Sequence, residues 1–195
     1  NLSSAEMICQ ITAVQNDFGC RITNLVSMGQ GEPFQNYQAT LEALRFANAK
    51  DGLEIGARHI TVSTCGIIQG IENLANEPEQ FTLAVSLHSA LQDVRNQIMP
   101  RCSNIPLPHL KKALQSYVEK TSRRVSFEYL LIKGVTDTEE NLAALIDFCN
   151  GLLCHVNLLS VNEVEGSPYK PSSTATQQRW VRELKSAGKE ATIRN

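Results

Sequence analysis

The chain has 195 residues, of which 42% are hydrophobic and 19% are charged, and its formal net charge is −2. This length and composition suit one globular domain over residues 1–195 and exclude nucleic-acid binding through overall positive charge. No stretch approaches the roughly 20 apolar residues of a membrane helix, and the first residues lack the pattern of a secretory signal. We therefore expect a cytoplasmic protein without a membrane partner.

Helical and strand patterns alternate along the whole chain. Five strands that alternate with helices predict a parallel α/β sheet with right-handed crossovers, either open or closed into a partial barrel. The Ser- and Pro-containing segment 163–176 is predicted to be a loop of a length that often serves a site. Taken in order, the predicted elements are a helix within 1–17, strand 24–28, helix 36–49, strand 59–63, helix 67–76, strand 82–86, helix 90–99, helix 107–120, strand 124–131, a helix capped at 136–140 that runs to 149, strand 154–160, helix 177–187 and the start of a strand at 191–194.

The turn after the first predicted strand is the most informative stretch of the chain. It reads Met28-Gly29-Gln30-Gly31-Glu32-Pro33. Its two glycines allow a sharp turn and a close approach of the backbone to a ligand, and Glu32 supplies a carboxylate that suits a positive amino group. An ordinary turn between a strand and a helix, with a surface acid, is the alternative interpretation.

Further polar residues follow the other predicted strands at their carboxyl ends. The carboxyl ends of parallel strands meet at one edge of a sheet, which is where ligands bind in such folds. The set therefore predicts a pocket for a zwitterionic, sugar-bearing ligand, although Ser63 and Ser86 could instead cap helices and Asn162 could stabilise a turn. The residues of this predicted rim are Gly31, Glu32, Ser63, Ser86, His88 and Asn162.

Other candidate residues are left outside this pocket. Glu128 and His155 lie within predicted strands, where each could be buried and hydrogen-bonded or could point into a barrel. The six cysteines are scattered, with no Cys-x-x-Cys pair and no zinc-like spacing, so we predict reduced core thiols and no metal site within the chain.

Six segments, in order over nearly the whole chain, form a set of motifs. They are Met28-Gly29-Gln30-Gly31-Glu32-Pro33, Ile60-Thr61-Val62-Ser63-Thr64, Val85-Ser86-Leu87-His88-Ser89-Ala90, Asp93-Val94-Arg95, Phe127-Glu128-Tyr129 and Gly151-Leu152-Leu153-Cys154-His155-Val156-Asn157-Leu158. Together they resemble the motifs of the RlmN-type radical SAM adenine-C2 methyltransferases. The resemblance implies a partial (βα) barrel of the radical SAM type that binds S-adenosylmethionine and a 4Fe-4S cluster. It also implies methylation of carbon 2 of an adenine in 23S rRNA and tRNA.

By matching positions, the resemblance assigns cofactor contacts to the rim. Gly31 and Glu32 would receive the methionine amino end, and Ser63, Ser86, Leu87, His88 and Asn162 would contact other parts of S-adenosylmethionine. The partners implied are 23S rRNA, tRNA and an electron donor such as flavodoxin, and we expect a monomer.

The chain also departs from the family pattern. The Cys-x-x-x-Cys-x-x-Cys motif that holds the cluster is expected upstream of Asn1, and the methyl-carrying cysteine is expected beyond Asn195. We therefore expect a core truncated at both ends, part of a longer enzyme, with its catalytic residues outside this segment and no activity of its own.

Three other functions stay open. The related group that methylates carbon 8 of the same adenine is not separated from the first by this segment. An unrelated (βα) barrel lyase would need a lysine at a strand end for a Schiff base, for which Lys133 is the only candidate. A non-catalytic RNA-binding domain would need a basic face with aromatics, whereas aromatic residues make up 6% of the chain.

Overall fold

Each of the first five strands is followed by helical structure that leads to the next parallel strand. The computed structural model describes residues 1–194, in which six strands form one sheet in the order β1-β2-β3-β4-β5-β6, with all five neighbouring pairs parallel. The predicted parallel α/β class is therefore confirmed. The strands are β1 (Leu25–Ser27), β2 (Ile60–Thr64), β3 (Thr82–Ser86), β4 (Val125–Leu131), β5 (Cys154–Ser160) and β6 (Glu190–Arg194).

Seven α-helices are described, and three short 3-10 turns lie at 33–36, 57–59 and 100–102. Most agree with the predicted ranges to within two residues. The last helix is an exception, because it begins at Thr174 rather than 177, inside the predicted loop. Ser173 caps it by accepting a hydrogen bond from the Thr176 N–H at 3.1 Å. The helices are α1 (Ser4–Phe18), α2 (Tyr37–Asn48), α3 (Ile68–Leu74), α4 (Gln92–Ile98), α5 (Leu107–Thr121), α6 (Glu139–Phe148) and α7 (Thr174–Ser186).

The two faces of the sheet differ in burial. In β4 the residues alternate between buried and half-buried, as a strand with one covered face should. One face packs against the helices and forms the core, which includes Val85, Phe127 and Leu158 at 0–1% exposure. We call this the helix-covered face. We call the other the open face, and its residues in β2 to β6 are Thr61, Ser63, Thr82, Ala84, Ser86, Ser126, Glu128, Leu130, His155, Asn157, Leu159, Glu190, Thr192 and Arg194.

The sheet is open over residues 1–194, because β1 and β6 lie at its two edges and do not pair with each other. Within the same residues, no helix combines the length and the apolar character needed to cross a bilayer.

The cysteines are free thiols, as predicted. Three of them, Cys102, Cys149 and Cys154, are buried in the core, whereas Cys9 and Cys20 are exposed. The prediction of core thiols is therefore wrong for these two, which lie on and just after α1, a helix that buries no residue completely.

Candidate functional site

The turn after β1 has the backbone conformation that its glycines allow. Gly29 and Gly31 have φ angles of 138° and 102°, values that side chains of L-residues rarely tolerate. The Glu32 carboxylate then accepts two backbone hydrogen bonds, from Phe34 N–H at 3.1 Å and from Cys65 N–H at 2.7 Å. Glu32 thereby ties the end of β1 to the end of β2. Each carboxylate oxygen retains a lone pair, so Glu32 can still accept from a ligand ammonium.

A packing contact holds this turn in place. The Phe34 side chain is 8% exposed and lies directly against Gly70 of α3. A β-carbon at position 70 would overlap the Phe34 ring. The absence of a side chain at Gly70 therefore lets the Glu32 turn dock on the helix that follows β2.

Ser63 lies in β2, one residue from its carboxyl end, and it does not cap the following helix. No side chain caps α3, and the turn that leads to it is held by Thr64, whose hydroxyl accepts from Gly66 N–H at 3.0 Å and Ile67 N–H at 3.2 Å. The Ser63 side chain has no hydrogen-bond partner among residues 1–194 and is 6% exposed. It is therefore a nearly buried hydroxyl that remains available to a ligand.

Ser86 ends β3 and behaves in the same way. No side chain caps α4, and the N–H of Leu91, the residue before this helix, donates to Ser89 Oγ at 3.0 Å and not to Ser86. The Ser86 hydroxyl makes no hydrogen bond to any residue that the structure describes. For both serines, the alternative interpretation as helix caps is therefore wrong.

His88 is held in an unusual backbone conformation with a defined proton arrangement. Its φ is 56°, in the left-handed region, and its Nδ1 accepts from the Leu130 N–H at 3.2 Å. Burial lowers the pKa of His88 to about 4, and the positive charge of Arg95 adds to this effect. The ring is therefore neutral near pH 7. Since Nδ1 is an acceptor, Nε2 carries the proton and is a donor for a ligand.

The two remaining rim residues differ in what they can offer. Leu87 is fully buried, so only its backbone is available, and that backbone already donates to the Glu128 carbonyl at 3.0 Å. Asn162 lies two residues beyond β5, is exposed and makes no hydrogen bond within the described chain. The parallel strands thus bring all the predicted residues to one edge of the sheet. Their roles as cofactor contacts remain a prediction.

Arg95 is a positioning residue that the sequence did not single out for the site. It is fully buried, and no carboxylate lies within salt-bridge distance of it in residues 1–194. Its guanidinium donates instead to the carbonyls of Cys65 at 2.5 Å, Leu87 at 3.2 Å and Cys102 at 3.5 Å. Burial lowers the Arg95 pKa. The Arg95 side chain thus joins two loops of the site. The loop after β2 carries Cys65, whose N–H donates to Glu32, and the loop after β3 carries His88.

Glu128 and His155, which the sequence left undecided, both lie on the open face and are hydrogen-bonded there. Glu128 accepts from Asn157 Nδ2 at 2.8 Å, and His155 Nε2 lies 2.9 Å from Thr192 Oγ1. Asn157 and Thr192 were not predicted, because pairing between strands distant in sequence decides these contacts. No group of three or more His, Cys, Asp or Glu residues in 1–194 is arranged to hold a metal ion.

The sequential parallel sheet with its polar carboxyl-end rim is similar to the core of radical SAM enzymes. A radical SAM methyltransferase from Sphaerobacter thermophilus superposes with a TM-score of 0.94 at 42% identity, covering all of this chain and 58% of that one. Streptococcus suis SuiB bound to S-adenosylmethionine superposes at a TM-score of 0.70 with 16% identity, which supports the fold alone.

Relatives by sequence make the assignment more specific. The chain is 41% identical over 194 residues to the probable dual-specificity RNA methyltransferase RlmN of Thermoanaerobacter sp. (strain X514). It is 44% identical over 194 residues to the protein of the same name from Alkaliphilus oremlandii (strain OhILAs). No family model matches the chain. The chain is thus similar over its whole length to RlmN-type radical SAM methyltransferases, and it spans 56–57% of the length of these relatives.

Proposed function

We propose that this chain is the S-adenosylmethionine-binding core of a longer radical SAM methyltransferase that methylates carbon 2 of an adenine in 23S rRNA and tRNA. The observation that carries the proposal is the 41–44% identity to proteins named RlmN, which extends over all of this chain. The substrate preference rests on those names and on the motif resemblance.

The chemistry of the rim fits S-adenosylmethionine. Glu32 and the turn at Gly31 suit the ammonium, and the unpartnered hydroxyls of Ser63 and Ser86 suit a carboxylate or ribose. The His88 Nε2–H is a neutral donor. Leu87, whose backbone N–H and C=O are already hydrogen-bonded, would act by fixing the backbone between Ser86 and His88. The exposed Asn162 amide is available in the loop after β5. When bound, the cofactor supplies the methyl group and the radical chemistry, while this chain binds it, orients it and limits access of water.

The 4Fe-4S cluster needs ligands from elsewhere. Thiolates hold such clusters, and within residues 1–194 no set of side chains is arranged for a metal ion. We propose that the ligands lie upstream of residue 1 and that the catalytic cysteine lies beyond residue 195. A cytoplasmic location, a monomeric state and an electron donor such as flavodoxin complete the proposal.

Methylation of carbon 8 of the same adenine is the closest alternative, and the two reactions are distinguished by their products, 2-methyladenosine and 8-methyladenosine.

The barrel lyase is disfavoured by the exposure of Lys133, which follows the end of β4. A Schiff-base lysine needs a desolvated pocket, which this exposed side chain lacks.

The function is tested with the full-length protein, reconstituted without oxygen and given 23S rRNA fragments and tRNA. We expect 2-methyladenosine by nucleoside mass spectrometry, and its formation should stop when the reductant is omitted. Formation of 8-methyladenosine instead would support the alternative, and the absence of both products would overturn the proposal.

The cofactor site is tested by calorimetry with S-adenosylmethionine on the same protein. Ser86→Ala removes one hydrogen bond to the ligand and should weaken binding by about 3- to 10-fold. Thr82→Ala is the matched control, since Thr82 lies on the same face of the same strand but at its amino end. Equal effects of the two variants would argue against a cofactor site at the rim.

A further inference from the structure

A row of polar side chains crosses the open face beside the rim. Strand register aligns Ser86 with Glu128, Glu128 with Asn157, and Asn157 with Thr192. Ser86 belongs to the proposed cofactor site, whereas the other three residues line the half of the face formed by β4, β5 and β6. None of the proposed cofactor contacts is a residue of β4, β5 or β6. Asn162 lies in the loop after β5.

The hydrogen bonds along this row have a defined direction. Asn157 Oδ1 accepts from Thr192 Oγ1 at 3.1 Å and from Arg194 Nε at 3.4 Å. Arg194 can only donate, so the amide oxygen of Asn157 must face it. The amide NH₂ therefore faces Glu128 and donates to its Oε1 at 2.8 Å.

His155 extends the same direction. The single proton of the Thr192 hydroxyl is used toward Asn157, so this hydroxyl must accept from His155 Nε2–H at 2.9 Å. Burial lowers the pKa of His155, which favours the neutral ring with one N–H. Each donor thus points toward Glu128, and the hydrogen-bond chain ends on its carboxylate.

Glu128 has acceptor capacity that the protein does not use. Its second oxygen, Oε2, accepts no hydrogen bond, and no Lys, Arg or His nitrogen in residues 1–194 lies within 4.0 Å of the carboxylate. The side chain is half-buried, in the middle of β4 on the open face. A partly desolvated carboxylate without a cation is stabilised by an N–H or O–H donor, so this position suits a donor from a ligand.

We propose that Glu128 accepts a hydrogen bond from the exocyclic amino group of the target adenine, with Asn157 and Thr192 as positioning residues. This inference rests on the proposed function. A base with a keto oxygen in place of the amino group would be repelled by the carboxylate, so Glu128 selects adenine. Arg194 supports the assignment, because it is exposed and its terminal nitrogens make no hydrogen bond or salt bridge to residues 1–194, which leaves them available to the phosphate of the same nucleotide.

The test measures base preference in the full-length, cluster-containing protein. RNA hairpins carry adenine, purine without the amino group, or hypoxanthine at the target position, and single-turnover methylation rates are compared. Wild-type protein should prefer adenine over purine by about 10- to 100-fold, the effect of one hydrogen bond to a charged acceptor. Glu128→Gln should reduce this preference by about 10-fold and improve the relative rate with hypoxanthine, because the amide can donate to the keto oxygen. Asn157→Ala should lower the preference by a smaller factor.

The matched control is Glu190→Gln, which removes the same charge from the same face, one row nearer the amino ends of the strands. It should leave the base preference unchanged. An unaltered preference in Glu128→Gln, or a loss of S-adenosylmethionine affinity in its place, would overturn the assignment. If wild-type protein forms no methyladenosine, the proposed function itself fails, and this inference fails with it.

Discussion

On the helix-covered face of β4, Phe127, Tyr129 and Leu131 are completely buried, whereas Ser126 and Glu128 on the open face are only half-buried. These residues alternate within one strand and therefore have the same sequence neighbours. Their burial differs because helices pack against only one face of the strand. Helices of the same domain cover one face. No helix among residues 1–194 covers the other face of β4 to the same extent.

Polar groups on the two faces differ in the same sense. On the helix-covered face, Tyr129 OH donates to the Thr136 carbonyl at 3.1 Å, and Ser89 Oγ donates to Asn141 Oδ1 at 2.8 Å. The buried hydroxyl of Tyr117 and the indole N–H of Trp180 are exceptions, because neither has a hydrogen-bond partner within residues 1–194. On the open face, the hydroxyls of Ser63 and Ser86 and one oxygen of Glu128 remain available. Unused hydrogen-bond capacity is therefore concentrated where a ligand can reach it.

The largest expected effect comes from breaking the covered face. Leu131→Ala should lower the free energy of unfolding by about 2–5 kcal/mol, because it leaves a cavity at a fully buried position. Leu130→Ala, one residue earlier on the open face, should lower the free energy of unfolding by about 1 kcal/mol or less, since this side chain is only half-buried. Urea denaturation of both variants measures the difference, and similar losses would show that the two faces are equally packed.

Arg95→Met should have the next largest effect. The Cys65 carbonyl would lose its Arg95 donor, and the Leu87 and Cys102 carbonyls would each lose one of two donors, which should cost on the order of 2–4 kcal/mol of unfolding free energy. Cofactor affinity should fall as well, because the loops after β2 and β3 lose their common anchor. Arg182→Met on the exposed side of α7 is the control and should change stability by less than about 0.5 kcal/mol.

A smaller effect is expected from the protonation of His88. Its pKa is lowered to about 4, so below pH 6.5 the unfolded chain binds a proton that the folded protein does not. Stability should therefore decline as the pH falls from about 6.5 toward 4 and level off below that. His88→Asn, which suits the left-handed backbone at this position, should remove this part of the pH dependence. A wild-type curve parallel to that of His88→Asn over this range would contradict the assignment.

The order and type of the elements could be predicted because the patterns are local. Alternation in 124–131 and the apolar run in 82–86 predicted β4 and β3 well, and strand ends then predicted the edge at which Glu32, Ser63 and Ser86 lie. The start of α7 was missed because Ser173 is one of several possible caps in a polar stretch. The sequence could not show whether Ser63 and Ser86 bond to the turns before the next helices. Thr64 and Ser89, one and three positions later, carry equally suitable hydroxyls, and the structure shows that these two make the bonds.

The sequence by itself determined the alternating α/β order, the edge of the sheet that carries the site and the resemblance to RlmN-type proteins. Only the tertiary structure decided which polar groups remain free, that Arg95 is a buried clamp, and that Glu128, Asn157 and Thr192 form one directed row. The physical reason is that periodicity is a property of neighbouring residues, whereas a hydrogen bond between strands depends on register across segments 29 or 35 residues apart.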